Sequence, residues 1–171
     1  ADLRTYLRRA VATDHATLSA AHRILEADRD VTALMVFISG FDVVCHGFWP
    51  YRFPESYPVD PPATDDVDRL GGVIDRYLAY VDREIGRLMD AFPERPNVLV
   101  VSDHGHIATY QATLWRSWHG PEGVFIAAGP DIAGPLRRSD DVRYADVVPT
   151  MLHLRGLRAP NLPGRVLVER P

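Results

Sequence analysis

Two rhythms of apolar residues run through the chain. Three short apolar runs, Val31–Ile38, Asn97–Ser102 and Gly123–Ala128, are rich in β-branched residues or bounded by Gly, Pro or Asp, so they predict buried strands. Between the first two, Val67, Leu70, Ile74, Tyr77, Leu78, Val81, Ile85, Leu88 and Met89 recur at steps of three and four. That spacing predicts an amphipathic helix over 65–92, capped by Asp65 or Asp66 and stopped by Pro93 and Pro96. A helix capped by Thr13 or Asp14 and running to Glu26 is expected to bury Leu18, Ala21, Ile24 and Leu25 against the sheet. Ala145–Leu154 reads as a short helix with Pro149 tolerated near its first turn. Pro50–Pro62 carries five prolines and reads as an ordered loop, and Leu157–Pro171 as irregular chain.

A strand, a long crossover helix and a second strand make the two strands parallel, with their carboxyl ends on one edge of the sheet. Asp42 and His46 lie just past the first strand, and Asp103 and His104 just past the second. His119 precedes the third strand; the stretch 107–118 shows no helical crossover, so that strand is expected to run antiparallel and start at the same edge. Ligands of open α/β sheets bind at that edge. Taken singly, each residue has an ordinary reading, because a lone His is usually a surface or hydrogen-bonded group and an Asp after a strand is commonly a cap. His15, His22 and His153 keep that reading. Asp42, His46, Asp103, His104 and His119 together read as a divalent-cation site. Phe48, Trp49, Arg52 and His106 are candidate substrate-pocket contacts; packing is an equal alternative for the aromatics, and Trp115 and Trp118 share the ambiguity.

Composition narrows the field. At 171 residues, 46% hydrophobic and 25% charged, the chain is expected to form a single domain. The net charge of -4 argues against a nucleic-acid surface. All 19 basic residues are Arg, which excludes a P-loop lysine, a pyridoxal Schiff base and a lysine general base in this segment. There is no glycine-rich dinucleotide fingerprint and no Gly-x-Ser-x-Gly elbow. The single cysteine, Cys45, excludes an internal disulfide and reads as a small buried filler. No apolar run approaches the roughly 20 residues of a bilayer-spanning helix.

The segments Gly40-Phe41-Asp42-Val43-Val44-Cys45-His46-Gly47-Phe48-Trp49-Pro50, Val101-Ser102-Asp103-His104-Gly105 and Trp118-His119-Gly120 resemble three ordered motifs of the alkaline phosphatase superfamily, in particular its type I phosphodiesterase and nucleotide pyrophosphatase branch. Phe125–Pro130, Asp146–Leu152 and Gly164-Arg165 extend the resemblance from about Thr13 to Val168. It implies a three-layer α/β/α sandwich with a mostly parallel sheet and one antiparallel strand. It also implies two divalent ions, zinc or alternatively manganese, roughly 4 Å apart around a phosphoryl group. Asp42, His46 and His119 would hold the first ion, and Asp103 and His104 the second. The remaining Asp ligand and the nucleophilic Thr or Ser come, in that family, from an earlier strand that these residues do not match. Because Leu3–Arg9 already reads as the middle of a helix, the chain is expected to be the carboxyl-terminal portion of a longer enzyme, partnered by the rest of its own chain and inactive alone. The implied substrate is a small phosphodiester or nucleotide-like molecule. A related phosphomutase or phosphotransferase, or a non-catalytic metal-binding domain, are the alternatives. A sulfatase would need a modified Cys or Ser in its own motif, which is not seen.

Overall fold

A computed structural model describes residues 2–110, 116–133, 141–158 and 161–169. The described residues within 1–93 and 106–121 form one compact unit, and those within 94–105 and 122–171 form another. Helices dominate the first unit. α1 spans Leu3–Ala27, with the Asp2 carboxylate accepting the Thr5 N–H at 2.7 Å, so it starts well before Thr13. Its buried residues, Ala10, Asp14, Leu18, Ala21 and Leu25, follow the helical repeat, while Ile24 faces solvent at 48% exposure. The stripe packs on helices rather than on a sheet. Ala10 joins Val44, Cys45 and Phe48 of α2 (Gly40–Arg52) and Val73, Ile74 and Tyr77 of α4 (Val73–Ala91); Leu18, Ala21 and Leu25 join Leu88 of α4.

The expected helix over 65–92 is two helices, α3 (Thr64–Leu70) and α4, because Gly71 and Gly72 fall between them. Each glycine costs about 1 kcal/mol in a helix interior, so the pair marks the place where the helix gives way.

Val31–Ile38 is not a strand. It runs without regular structure between α1 and α2, with Val31, Leu34, Val36 and Ile38 packed on the α1–α4 core and Met35 and Phe37 each 81% exposed. The side chains alternate as a strand's would, but no described residue ladders with this segment. The parallel crossover inferred from it therefore has no counterpart among the described residues, whose strands form two-stranded pairs. β2 (Gly105–Ala108), which belongs to the first unit from His106 onward, pairs with β3 (Ser117–Gly120). In the second, β1 (Val98–Ser102) pairs antiparallel with β4 (Val124–Ala128), from Val98 opposite Ala128 to Ser102 opposite Val124. That direction is the one anticipated for the 123–128 strand.

The second unit is completed by α5 (Tyr144–Leu154) and the irregular chain that returns over it. Asp146, 2% exposed, is its organising residue: the carboxylate accepts the Arg143 N–H at 2.9 Å and the Arg165 N–H at 2.8 Å. Hydrogen bonds from those two amides, Arg165 first, hold the Asp146 carboxyl below the ordinary Asp range. No helix among the described residues is long and apolar enough to cross a membrane.

Candidate metal centre

α2 places Asp42 and His46 one turn apart, on the same face of the helix. Its start is held by Asp14, which is fully buried: Oδ1 accepts the Gly40 N–H at 2.9 Å and Oδ2 accepts the Tyr77 hydroxyl at 2.8 Å. A Cβ on residue 40 would collide with both the Tyr77 hydroxyl and the Asp14 carboxylate, so the junction requires glycine. Burial first, and then the bond to Asp14, push the Tyr77 phenol above its ordinary pKa, keeping it a donor.

Pro50 sits inside α2 instead of starting a loop. Proline has no N–H, so the carbonyl of His46 loses its partner within the helix. The Arg116 N–H fills that vacancy at 3.0 Å and seats the start of β3 against the ligand-bearing turn. The proline-rich stretch that follows buttresses the same strand. Tyr57, fully buried, donates its hydroxyl proton to the Arg116 carbonyl, and the Arg116 guanidinium lies 5.2 Å above the Tyr57 ring and 2.9 Å from Asp60.

β3 thereby delivers His119 to α2. His46 is 1% exposed, and its Nδ1–H donates to the Ser117 carbonyl at 2.8 Å, which turns its Nε2 toward Asp42 and His119. That nitrogen lies 3.2 Å from His119 Nε2 and 3.4 Å from Asp42 Oδ1, and the Asp42 and His119 atoms are 3.7 Å apart. A tetrahedral ion with bonds of about 2.0 Å has donor–donor edges of about 3.3 Å, so these three atoms fit the corners of one such site. One carboxylate and two imidazoles suit zinc and related divalent ions. His46 forms the buried anchor, while the Asp42 and His119 side chains, 39% and 43% exposed, leave the outer side open. Cys45 is not part of the donor set: burial, reinforced by the Asp42 charge, pushes its thiol up to about 12, and it packs in the core as a neutral filler.

Residues 3–159 match the model of the family described as "Type I phosphodiesterase / nucleotide pyrophosphatase". The chain belongs to that family, a branch of the alkaline phosphatase superfamily. A sulfatase of Formosa agariphila is 33% identical over 100 residues, covering 51% of this chain and 19% of its own length. A 2,3-bisphosphoglycerate-independent phosphoglycerate mutase of Parasynechococcus marenigrum is 31% identical over 121 residues, covering 63% of this chain and 22% of its own length. The chain thus spans about a fifth of the length of these curated relatives. No solved structure matches it.

The other candidate residues fall in several places. Asp103 and His104 follow β1 in the second unit; the His104 Nδ1–H donates to the Gly105 carbonyl at 2.9 Å, and Nε2 lies 3.7 Å from Asp103 Oδ1, so both offer donor atoms to the same space. Within the first unit, His106 Nε2 is 3.2 Å from Asp42 Oδ1, and the Trp49 ring is 5.4 Å from the His106 ring. Trp49 stands seven residues after Asp42, on the helical face that Asp42 and His46 share. Trp118 stacks on His119 with ring centroids 5.3 Å apart. Phe48 is 2% exposed and belongs to the helical core, more than a third of a turn round α2 from that face. Arg52 is engaged with Asp75 at 3.0 Å and with the Phe53 ring at 4.8 Å. Trp115 lies outside the described residues. Ser117 escaped sequence reasoning altogether, since a lone Ser carries no periodic or motif signal.

Proposed function

We propose that residues 1–171 form part of the catalytic domain of a metal-dependent phosphoric ester hydrolase, a type I phosphodiesterase or nucleotide pyrophosphatase acting on a small phosphodiester or nucleotide-like substrate. The observation that carries the reading is the convergence of Asp42, His46 and His119 in a chain of this family. These three residues hold one divalent ion, zinc or manganese, and Asp103 and His104 contribute to a second within an alkaline phosphatase-like sandwich. When bound, such ions neutralise phosphoryl charge and lower the pKa of an attacking oxygen. The chain's own groups supply fixed donor geometry: the Ser117 carbonyl keeps the His46 Nε2 directed at the cluster, and α2 holds Asp42 beside it. Trp49 and Trp118 flank the centre as candidate stacking surfaces for an organic leaving group. With no residue here matching the family's nucleophile motif, this chain alone turns over little or no substrate.

A transfer reaction is the second reading, favoured by the phosphoglycerate mutase relative. The full-length protein, assayed on a chromogenic phosphodiester, a phosphomonoester and a sulfate ester with zinc or manganese, separates the possibilities. Diester hydrolysis abolished by Asp42→Ala or His119→Ala supports the reading. Metal binding with no turnover of any ester leaves a non-catalytic metal-binding domain instead.

A further inference from the structure

The end of α5 is closed by its own chain. The N–H groups of Gly156 and Leu157 bond to the His153 and Leu152 carbonyls at 2.9 and 2.8 Å, with Gly156 at φ +68°. The turn that follows, and the chain returning through 162–166, border an open cleft of about 330 Å3 against Pro149 and His153 of α5. That size lies at the lower end of small-molecule sites. Leu157, Leu162 and Val166 line it while remaining 58%, 44% and 43% exposed, so large apolar side chains are gathered there and left uncovered. His153 and Arg158 bring the polar side chains to the lining, and no carboxylate or hydroxyl lines it among the described residues. Neither makes a hydrogen bond or ion pair among those residues. His153 has a local reason for its place, since the last turn of a helix favours a base. Arg158 lies beyond that turn, with the helix-end carbonyls already served by main-chain N–H groups.

We propose that this cleft binds a small amphiphilic anion, a carboxylate or phosphate head on an apolar body. Arg158 holds the head, His153 offers a second N–H, and Leu157, Leu162 and Val166 cover the body. At about 30 Å3 for each water-sized group, the volume takes about ten non-hydrogen atoms, which suits a chain of about eight carbons. A guanidinium flanked by apolar walls selects for negative charge, because its hydrogen bonds to an oxyanion are about twice as strong as neutral ones. All the lining residues belong to the second unit, and the proposal is independent of the metal-centre reading.

The test is calorimetric titration of the full-length protein with octanoate, octyl phosphate and octanol, each below the concentration at which it self-associates. The protein is stripped of metal, so that the phosphate head has no ion to bind. A parallel titration follows the 15N-labelled histidine signals, with that of His153 identified by its absence in His153→Gln. At least one anion is expected to bind about 10–100-fold more tightly than octanol, as one hydrogen bond to a charged group is typically worth, and to move the His153 signal. Tighter octanoate assigns the head as carboxylate, and tighter octyl phosphate assigns it as phosphate. Arg158→Gln should lower anion affinity to that of octanol and leave octanol unchanged. Leu162→Glu, which places a carboxylate in the lining, should abolish anion binding. Both side chains are exposed, so the fold tolerates either change. Octanol binding as tightly as both anions, anion affinity unchanged in Arg158→Gln, or no binding of any of the three overturns the proposal. A His153 signal that stays fixed while an anion binds places that ligand elsewhere and overturns it equally.

Discussion

Replacing Asp14 by Ala tests whether the candidate centre depends on a buried tie more than twenty residues away from it in sequence. The carboxylate accepts from the first amide of α2 and from Tyr77 of α4 at 2.9 and 2.8 Å, in a position closed to solvent. Truncation leaves the Gly40 N–H and the Tyr77 hydroxyl without an acceptor in the interior. At about 1–3 kcal/mol for each buried group left unsatisfied, the loss is about 3–5 kcal/mol, a large share of the 5–15 kcal/mol that typically holds a domain together. Urea denaturation reports it as a lowered midpoint with an unchanged slope. Tyr77→Phe removes one of the two bonds and costs about 1–2 kcal/mol. Since the two residues share that bond, the double variant loses less than the sum of the single losses. Zinc affinity falls in Asp14→Ala as well, because Gly40 begins the turn that presents Asp42. An Asp14→Ala protein within about 1 kcal/mol of the parent, or strictly additive variants, would refute the claim that this tie seats α2.

Other consequences are open to measurement. Asp42→Ala and His119→Ala each remove one of three converging donors, so titration calorimetry is expected to show zinc affinity down by more than about 100-fold at that site; unchanged binding would remove it from consideration. Because amides hold the Asp146 carboxyl below its unfolded value of about 3.9, its contribution is complete above that value and disappears as pH falls through the lower folded value. Asp146→Asn should therefore flatten the acid limb of the stability profile, and an identical limb in the variant would contradict the assignment. Gly164 has φ +99°, and a Cβ there would run into the Ala145 carbonyl, so Gly164→Ala is expected to cost about 2–4 kcal/mol in thermal or chemical melts; a neutral change would show that the returning chain is loosely held.

What the sequence determined by itself is what depends on near neighbours. The apolar runs of β1 and β4, the three-and-four rhythm of α4 and the helix at 144–154 were legible because side-chain period follows local backbone geometry. Asp42, His46 and His119 were legible as residue types in an ordered pattern. Tertiary structure decided the rest through partners distant along the chain. Val31–Ile38 has a strand's alternation but no described ladder partner, and β-structure exists only in pairs. Pro50 was read as ending regular structure, yet α2 continues through it because Arg116 supplies the donor for the orphaned His46 carbonyl. Asp14 read as a cap and became a buried tie between helices. The bond from His46 to the Ser117 carbonyl, like the approach of His106 to Asp42, spans more than sixty residues; hydrogen-bond complementarity at that range leaves no periodic trace in the chain that encodes it.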